Sequence, residues 1–176
     1  MASDSETVET ERLLLVPWAD AYFDDFARIC SQPEVMRFVS RGKPLPRDVI
    51  EDIHNRTLSM WDVHGFGPWA AFERQTGLWV GRIGLNLLRD WPRDDKWEVG
   101  YELDQPFWGR GYATEGARRT VRYGWDRTDL NRIISVTTPD NLASRRVMEK
   151  SGLKFQAEVP FRGTTVVWYA IDRPHA

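Results

Sequence analysis

The chain has 176 residues, long enough for one domain with a sizeable core, and its 41% hydrophobic content with nine tryptophans excludes a disordered protein. No apolar run approaches the roughly 18 residues of a membrane span, and the amino-terminal residues are polar and acidic. Neither a membrane span nor a signal peptide is therefore predicted, and a cytoplasmic location is expected. The net charge of -2 argues against non-specific nucleic-acid binding, and the single cysteine, Cys30, rules out an internal disulfide.

The first half of the chain alternates between strand and helix patterns. Apolar residues within 46–61 recur at the helical period, and Pro46 suits the first turn of a helix. Cys30 lies in a similar apolar pattern, which favours a small buried side chain without a redox role. In chain order, these patterns predict a strand at 12–17, helices at 20–30, 33–38 and 46–61, and a hairpin of strands 69–74 and 78–88.

The second half continues the alternation. It predicts a strand at 97–103, a helix at 111–127, a strand at 132–138, a helix at 141–150 that ends near Gly152, and strands at 153–158 and 164–171. The expected fold class is α/β (α+β), with a mixed central sheet of about seven strands flanked by helices. We expect residues 9–176 to form this single domain and residues 1–8 to form a flexible amino-terminal tail.

A glycine-punctuated turn at residues 107–116, FWGRGYATEG, joins the strand 97–103 to the next helix and predicts an anion site. Gly109 and Gly111 allow close backbone approach, and the helix start offers unpaired N–H groups. A Walker loop would need Gly-Lys-Ser/Thr, which is missing, so nucleoside triphosphates are disfavoured. A dinucleotide fingerprint would need a small residue where Thr114 stands, and a dinucleotide-binding enzyme remains only as an outlying alternative.

The spacing of this turn resembles the pyrophosphate loop of the GNAT superfamily of acyl-CoA-dependent N-acyltransferases, Gln/Arg-x-x-Gly-x-Gly/Ala. The pattern falls on Trp108, Gly111 and Ala113, with Trp108 departing from it. The form WGRGYATEG is similar to that of the ribosomal-protein N-terminal acetyltransferase branch. Residues 139–155 resemble the second cofactor segment, Asn-x-x-Ser/Ala, and residues 9–18 resemble the opening strand of the same branch. The resemblance thus covers almost the whole chain.

The resemblance implies acetyl-CoA as the acyl-donor co-substrate, held where the fourth strand of the family separates from the fifth. The backbone of Tyr101 and Leu103 would then pair with pantetheine, and Asn141 would hydrogen-bond it, although Asn141 is equally suited to cap a helix. Arg110 is as well placed for solvent as for phosphate. Residues 107–150 carry nine Arg/Lys and five Asp/Glu, a net charge of +4 that suits such a ligand. The expected loop contacts are Trp108, Gly109, Arg110, Gly111, Tyr112, Ala113 and Thr114.

Two catalytic roles are assigned in the same way. Many GNAT members carry a tyrosine seven residues after the asparagine, where this chain has Met148, and the ribosomal-protein branch is thought to use the serine at the Ser144 position to protonate the thiolate. A surface hydroxyl is the alternative role for Ser144. Glu98 is the first candidate for the general base and Glu102, on the same strand face, the second; solvated carboxylates are the alternative. No metal site is expected from the histidine spacing.

The acceptor is less well defined by the sequence. The resemblance implies direct attack by a primary amine in a ternary complex, the amine being a protein or peptide N-terminus or a small amine. Residues 23–61, the loop around Trp91, and Phe161, Arg162 and Trp168 are expected to wall the acceptor cleft. Thr165 stands where the branch often has an aspartate. A non-catalytic acyl-CoA-binding sensor remains the alternative, and the chain is expected to be a monomer or homodimer without nucleic-acid or membrane partners.

Overall fold

A computed structural model describes residues 7–40 and 43–174. Its eight strands form one mixed sheet in the order β1-β2-β3-β4-β5-β6-β8-β7, in which β5 and β6 are parallel and the other neighbours are antiparallel. The strands are β1 (Val8–Glu9), β2 (Leu13–Pro17), β3 (Pro68–Glu73), β4 (Trp79–Leu87), β5 (Trp97–Leu103), β6 (Arg132–Thr137), β7 (Lys154–Phe161) and β8 (Thr164–Asp172). The helices are α1 (Phe23–Cys30), α2 (Pro33–Met36), α3 (Arg47–His64), α4 (Tyr112–Arg127) and α5 (Leu142–Lys150).

The predicted α/β class is confirmed, and the sheet has one strand more than the predicted seven. The additional strand is β1, which pairs with β2 through Val8 and Glu9. Val8 is buried, so the assignment of residue 8 to a flexible tail is wrong. A two-residue strand is too short to show a period of two, and the sequence therefore gave no sign of it.

Helices α4 and α5 cover one face of the sheet. Gly116 of α4 lies so close to β4 that a Cβ atom there would come within 2.6 Å of Ile83. The helix therefore packs its backbone onto the sheet, and Trp69 from β3 and Val99 from β5 complete this core. This packing fixes the start of α4 at the carboxyl end of β5.

The opposite face carries α1, α2 and α3. Ala70, which alternates with Trp69 along β3, faces a second core that includes Phe26 and Ile50. Cys30 is buried in this core, as predicted. Helix α3 continues to His64, three residues beyond its predicted end, and stops at Gly65, whose φ of 72° is left-handed.

A third core lies under the β7–β8 hairpin and the β4–β5 loop. Trp91 and Trp168 pack edge to face there, with ring centroids 5.8 Å apart. The two indoles are 2% and 6% exposed, respectively, so they support the hairpin from inside. The expectation that Trp168 walls the acceptor cleft is therefore wrong, whereas the loop around Trp91, which was also expected there, lines a cavity through Arg89 and Asp90.

The sheet opens between β5 and β6. Strand β5 pairs with β4 over seven positions but with β6 only at Glu98 and Ile134. Beyond Glu98 the two parallel strands diverge, as predicted for the fourth and fifth strands of the family, which are β5 and β6 here. The gap lies beside the amino-terminal ends of α4 and α5.

Candidate active site

A cavity of about 760 Å³ lies along the gap between β5 and β6. The β5 wall includes Glu98, Tyr101 and Glu102, and the first turn of α5 adds Asn141 and Ser144. The fold thus brings five of the predicted pantetheine and catalytic residues to one surface: Glu98, Tyr101, Glu102, Asn141 and Ser144. The cavity is continuous with the face that carries α3 and the β7–β8 hairpin.

The amino-terminal end of α4 carries the main-chain groups that were predicted to bind an anion. The first backbone hydrogen bond of the helix runs from the Glu115 N–H to the Gly111 carbonyl at 3.0 Å. The N–H groups of Tyr112, Ala113 and Thr114 precede this first intrahelical donor and therefore have no acceptor within the helix. Gly111 precedes them with a φ of 83°, which orients the turn into the helix.

Gly109 and Gly111 give the turn its open shape. Gly109 has a φ of 70°, and a Cβ atom built there would meet no other atom within 4 Å. At Gly111 a Cβ atom would come 3.3 Å from the Arg12 guanidinium. The backbone is therefore exposed on its outer side, and these residues fit a pyrophosphate group held by main-chain N–H donors.

The side chains of the turn hold its conformation. The Tyr112 phenol, which is buried, donates to the Glu73 carboxylate, and Arg110 forms an ion pair with the same carboxylate at 2.6 Å. Hydrogen bonds from Thr76 and Tyr112 and the charge of Arg110 lower the pKa of Glu73. Arg110 and Tyr112 can thus offer their main chain to a ligand, while their side chains are already engaged.

Trp108 joins the turn to the end of β5. Its indole N–H donates to the Leu103 carbonyl at 2.8 Å, so this side chain supports the turn. Four residues earlier on the same edge of β5, the Val99 carbonyl accepts from the Ser135 hydroxyl at 2.9 Å. Between them, the main-chain groups of Tyr101 face the gap beyond the last β5–β6 pair.

A second, shallower depression runs beside the start of α4. Its lining includes Gly111 and Thr114 together with three arginines on the outer face of the helix, Arg118, Arg119 and Arg122. Arg118 donates to the Lys150 carbonyl at 2.8 Å, while Arg122 reaches Asp126 only at 3.5 Å. The positive charge seen in the sequence is therefore concentrated next to the anion site.

Glu98 occupies the point where β5 and β6 begin to separate. Its carboxylate accepts a hydrogen bond from the Val136 N–H at 3.2 Å. Burial raises the pKa of Glu98 to about 7, against the opposing effect of that hydrogen bond. A carboxylate that titrates near neutral pH is suited to accept a proton from an amine.

Glu102 has a different environment although it shares the strand face. Arg82 of β4 donates to both of its oxygens, at 3.1 and 3.3 Å, and also donates to Thr57 at 2.9 Å. Because Glu102 is bound to a buried guanidinium, it is less available as a base than Glu98. The structure thus separates two carboxylates that the sequence placed on equal geometric terms.

Asn141 and Ser144 lie in the first turn of α5. The Asn141 side chain accepts from the Ser144 N–H at 3.2 Å and donates to Thr137 at 2.9 Å. Asn141 is therefore a helix cap, and it also contributes to the cavity wall. The Ser144 hydroxyl lies 2.9 Å from the phenol oxygen of Tyr101.

The far wall of the cavity comes from four separate segments. Phe161 and Arg162 of the β7–β8 hairpin line it, as predicted, and Arg162 binds Asp90 through two contacts of 2.6 Å. This ion pair ties the hairpin to the β4–β5 loop. Three arginines also line this wall: Arg37 from the segment after α2, Arg56 from α3 and Arg89 from the β4–β5 loop.

Comparison with known proteins identifies this arrangement. Residues 12–154 match the acetyltransferase (GNAT) domain family. The chain belongs to the GNAT acetyltransferase family. This membership confirms the predicted superfamily and the acyltransferase class, with acetyl-CoA as the co-substrate.

Individual GNAT proteins resemble the chain over most of its length. FsC-acetyl coenzyme A-N(2)-transacetylase of Aspergillus fumigatus is 35% identical over 151 residues, which are 84% of this chain and 64% of that protein. An acetyltransferase from Agrobacterium tumefaciens has a TM-score of 0.84 and 27% identity, covering 96% of this chain and 95% of the other. RimL, an α-N-acetyltransferase of ribosomal protein L7/L12, shares the fold at 15% identity, with a TM-score of 0.77 and coverage of 95% and 98%. That likeness shows the shared fold.

Two further expectations concern absences. Within residues 7–40 and 43–174, no helix is long and apolar enough to cross a membrane, and no cluster of three or more metal-binding side chains occurs. His54 instead accepts from the Trp18 indole at 2.9 Å and contacts Asp20. His175 lies outside the described residues.

Sequence reasoning missed two features of the GNAT site. The first is the Arg82–Glu102–Thr57 connection, because residues 20 and 25 positions apart meet only through the β4–β5 register and the seat of α3. The second is the contact of the Tyr101 phenol with Ser144, because only the backbone of Tyr101 was expected to contribute to the site. Its spacing from Ser144, across a strand, a helix and another strand, carries no sequence signal.

Proposed function

We propose that this GNAT protein transfers an acetyl group from acetyl-CoA to a primary amine by direct attack in a ternary complex. The observation that carries the proposal is the single cavity that joins the β5–β6 gap, Ser144 and Glu98. Main-chain groups of Tyr101 and Leu103 would hold the pantetheine arm, and the turn from Gly109 to Thr114 would bind the pyrophosphate. The acceptor amine would enter from the α3 and hairpin side.

Glu98 is the general base in this proposal. The acceptor must lose one proton as its nitrogen forms the new C–N bond, and a carboxylate with a pKa of about 7 is half ionised at neutral pH. Glu102 would remain paired with Arg82 and would shape the cavity. An α-amino group, with an ordinary pKa of roughly 7.7 to 8.0, needs only this modest assistance.

Ser144 is the donor to the departing sulfur. Its hydroxyl lines the cavity one helical turn from Met148, on the same face of α5. Met148 is 1% exposed and its thioether has no proton to give, so it cannot serve this role. When the C–S bond breaks, the sulfur takes a proton from the Ser144 Oγ, which regains one from cavity water.

The charges around the acceptor side favour an acceptor whose other groups are neutral or anionic over a polycation. Arg37, Arg56 and Arg89 line that side, and of these Arg56 is paired with Asp52 at 2.8 Å. The acidic residues there are either paired, as Asp90 is with Arg162, or half neutral at pH 7, as Glu98 is. A polyamine or amino sugar would have to approach these guanidinium groups. A peptide N-terminus with nearby carboxylates meets complementary charge, and the name of the fungal relative independently supports acetyl transfer to an N2 amine.

The decisive experiment measures thiol release from acetyl-CoA with a panel of amines at matched concentrations. The panel contains peptides with neutral or acidic residues after a free N-terminus, the same peptides with blocked N-termini, and a polyamine. Free-amine peptides should release thiol and gain one acetyl group by mass spectrometry, while blocked peptides should not. Tight acetyl-CoA binding without release by any amine would reject the enzyme and favour an acyl-CoA sensor.

A further inference from the structure

Tyr101 projects its phenol to the first turn of α5. The phenol oxygen lies 2.9 Å from the Ser144 Oγ and 3.0 Å from the Ser144 carbonyl oxygen. Both distances are those of good O–H···O hydrogen bonds. Tyr101 and Ser144 also line the same cavity, so this contact lies beside the gap proposed for pantetheine.

The Tyr101 phenol lies near the turn of α5 that a proton donor at position 148 would reach, and Met148 is not such a donor. Helical side chains lean toward the amino-terminal end of their helix, so a donor on residue 148 would reach over the turn that contains Ser144. Tyr101 reaches that turn from the neighbouring strand instead. The chain therefore has a phenol at the face of α5 that carries Ser144, although none of the α5 residues supplies it.

The hydrogen-bond geometry defines what the phenol can do. A phenol has one hydrogen, and two arrangements fit these contacts: the phenol donates to the Ser144 carbonyl and accepts from the Ser144 hydroxyl, or it donates to the Ser144 Oγ. Desolvation by burial raises the pKa of Tyr101 above its usual value, so the phenol stays protonated throughout the neutral range. In the arrangement in which Tyr101 donates to the Ser144 Oγ, the serine hydrogen is left to point into the cavity.

We infer that Tyr101 is a positioning residue that orients the Ser144 hydroxyl toward the departing sulfur of CoA. This inference rests on the proposed function. Tyr101 keeps its proton throughout: the amine proton goes to Glu98, the C–N bond forms as the C–S bond breaks, and the sulfur is protonated from Ser144. The bond from Tyr101 fixes the serine rotamer and stabilises the developing negative charge on Oγ.

The test compares Y101F, S144A and the double variant with the wild type. We expect S144A to lower kcat about 100-fold and Y101F about 10-fold, with the KM for acetyl-CoA changed little in both. Because Tyr101 acts through Ser144, the double variant should match S144A within about two-fold. A full kcat for Y101F, or losses that multiply in the double variant, would overturn the inference.

A matched control separates positioning from packing. Tyr169 is another buried phenol that bonds α5, through Arg145 at 3.1 Å and Glu149 at 3.2 Å, but its neighbours lie outside the cavity wall. Y169F should lower the thermal midpoint at least as much as Y101F while leaving kcat intact. Equal kcat losses in the two variants would assign Tyr101 a structural role.

A second readout needs only CoA and no acceptor. A hydroxyl donated to the sulfur stabilises the thiolate, so its loss should raise the thiol pKa of bound CoA. Ultraviolet titration of the thiolate should show an upward shift of about one pH unit in Y101F and in S144A, and none in Y169F. An unchanged thiol pKa in Y101F would reject the positioning role. This outcome is independent of the amine panel, so failure of the inference and failure of the proposed function can be distinguished.

Discussion

The donor side and the acceptor side of this GNAT site are built in opposite ways. The proposed donor side comes from two compact segments, the β5–α4 turn and the start of α5, and would rely on main-chain groups from Gly109 to Thr114. The acceptor side collects side chains from α3, the segment after α2, the β4–β5 loop and the β7–β8 hairpin. Main-chain recognition depends on local conformation, whereas the acceptor wall depends on how distant elements pack.

The two sides should therefore respond differently to substitution. A change in the donor turn should abolish CoA binding whatever the acceptor is, because every donor uses the same pyrophosphate. A change on the acceptor wall should alter the choice among amines and leave CoA binding intact. The following predictions test this difference in order of decreasing effect.

The largest effect is expected for Gly111→Asp. It places a side chain and a negative charge at the helix start, at a residue with a φ of 83° and with Arg12 3.3 Å from the new Cβ. CoA affinity should fall by about 1,000-fold or become undetectable, as measured by calorimetry. G77D is the matched control, since Gly77 has a φ of 71° in the β3–β4 hairpin with open space around it. Equal CoA affinity in G111D and wild type would remove the donor site from this turn.

Glu98→Gln should reduce kcat about 100-fold or more and leave CoA affinity unchanged, because the amide keeps an acceptor for the Val136 N–H but cannot take a proton. The wild-type rate should rise with pH around 7, the pKa of Glu98, and this limb should be absent in E98Q. E102Q should retain the limb. If E102Q loses the limb and E98Q keeps it, Glu102 is the base.

Glu98 also predicts a pH dependence of stability. Its folded pKa of about 7 lies above the ordinary value of 4.5, so between these values the folded protein binds more protons than the unfolded chain. The free energy of unfolding should therefore fall as pH rises through this window. E98Q has no such proton to lose, so its thermal midpoint relative to that of the wild type should rise from pH 4.5 to pH 8. A constant difference across this range would contradict the raised pKa.

Glu73→Ala should weaken CoA binding about 10-fold without removing any group from the proposed site. Glu73 holds Arg110 and the buried Tyr112 phenol, and its loss frees the donor turn and leaves that phenol without its acceptor. Calorimetry measures the affinity, and thermal unfolding reports the accompanying loss of stability. E9A, which removes an exposed carboxylate paired with Arg74, is the control and should leave affinity unchanged.

The smallest effects are expected for single arginines. Arg89→Ala should raise the KM of an acidic peptide about two- to five-fold without changing the KM of acetyl-CoA. Arg119→Ala, in the basic depression beside α4, should instead raise the KM of acetyl-CoA without changing the KM of the acidic peptide. Both effects should shrink at high salt, because exposed charges are screened. Identical effects on both substrates would show that the two sides are not separate.

The sequence predicted the helices and strands closely because their periods and breakers are local. Gly111 before an amphipathic helix predicted the start of α4, and the interior strands were assigned within a few residues. The two-residue strand at Val8 carries no period and was missed. Trp168 was expected in the acceptor wall because aromatic residues suit both pockets and cores; only its burial places it in the core.

The sequence by itself determined the family, the acyl donor and the turn that suits its phosphates, because those depend on glycines and helix starts a few residues apart. Only the tertiary structure distinguished Glu98 from Glu102, since one carboxylate lies at the β5–β6 gap, where desolvation raises its pKa, and the other pairs with Arg82 of the adjacent strand. The same is true of Tyr101 and Ser144, which lie 43 residues apart and meet through the packing of α5 on the sheet. Long-range contacts of this kind follow from the close packing of the core and leave no periodic trace in the chain.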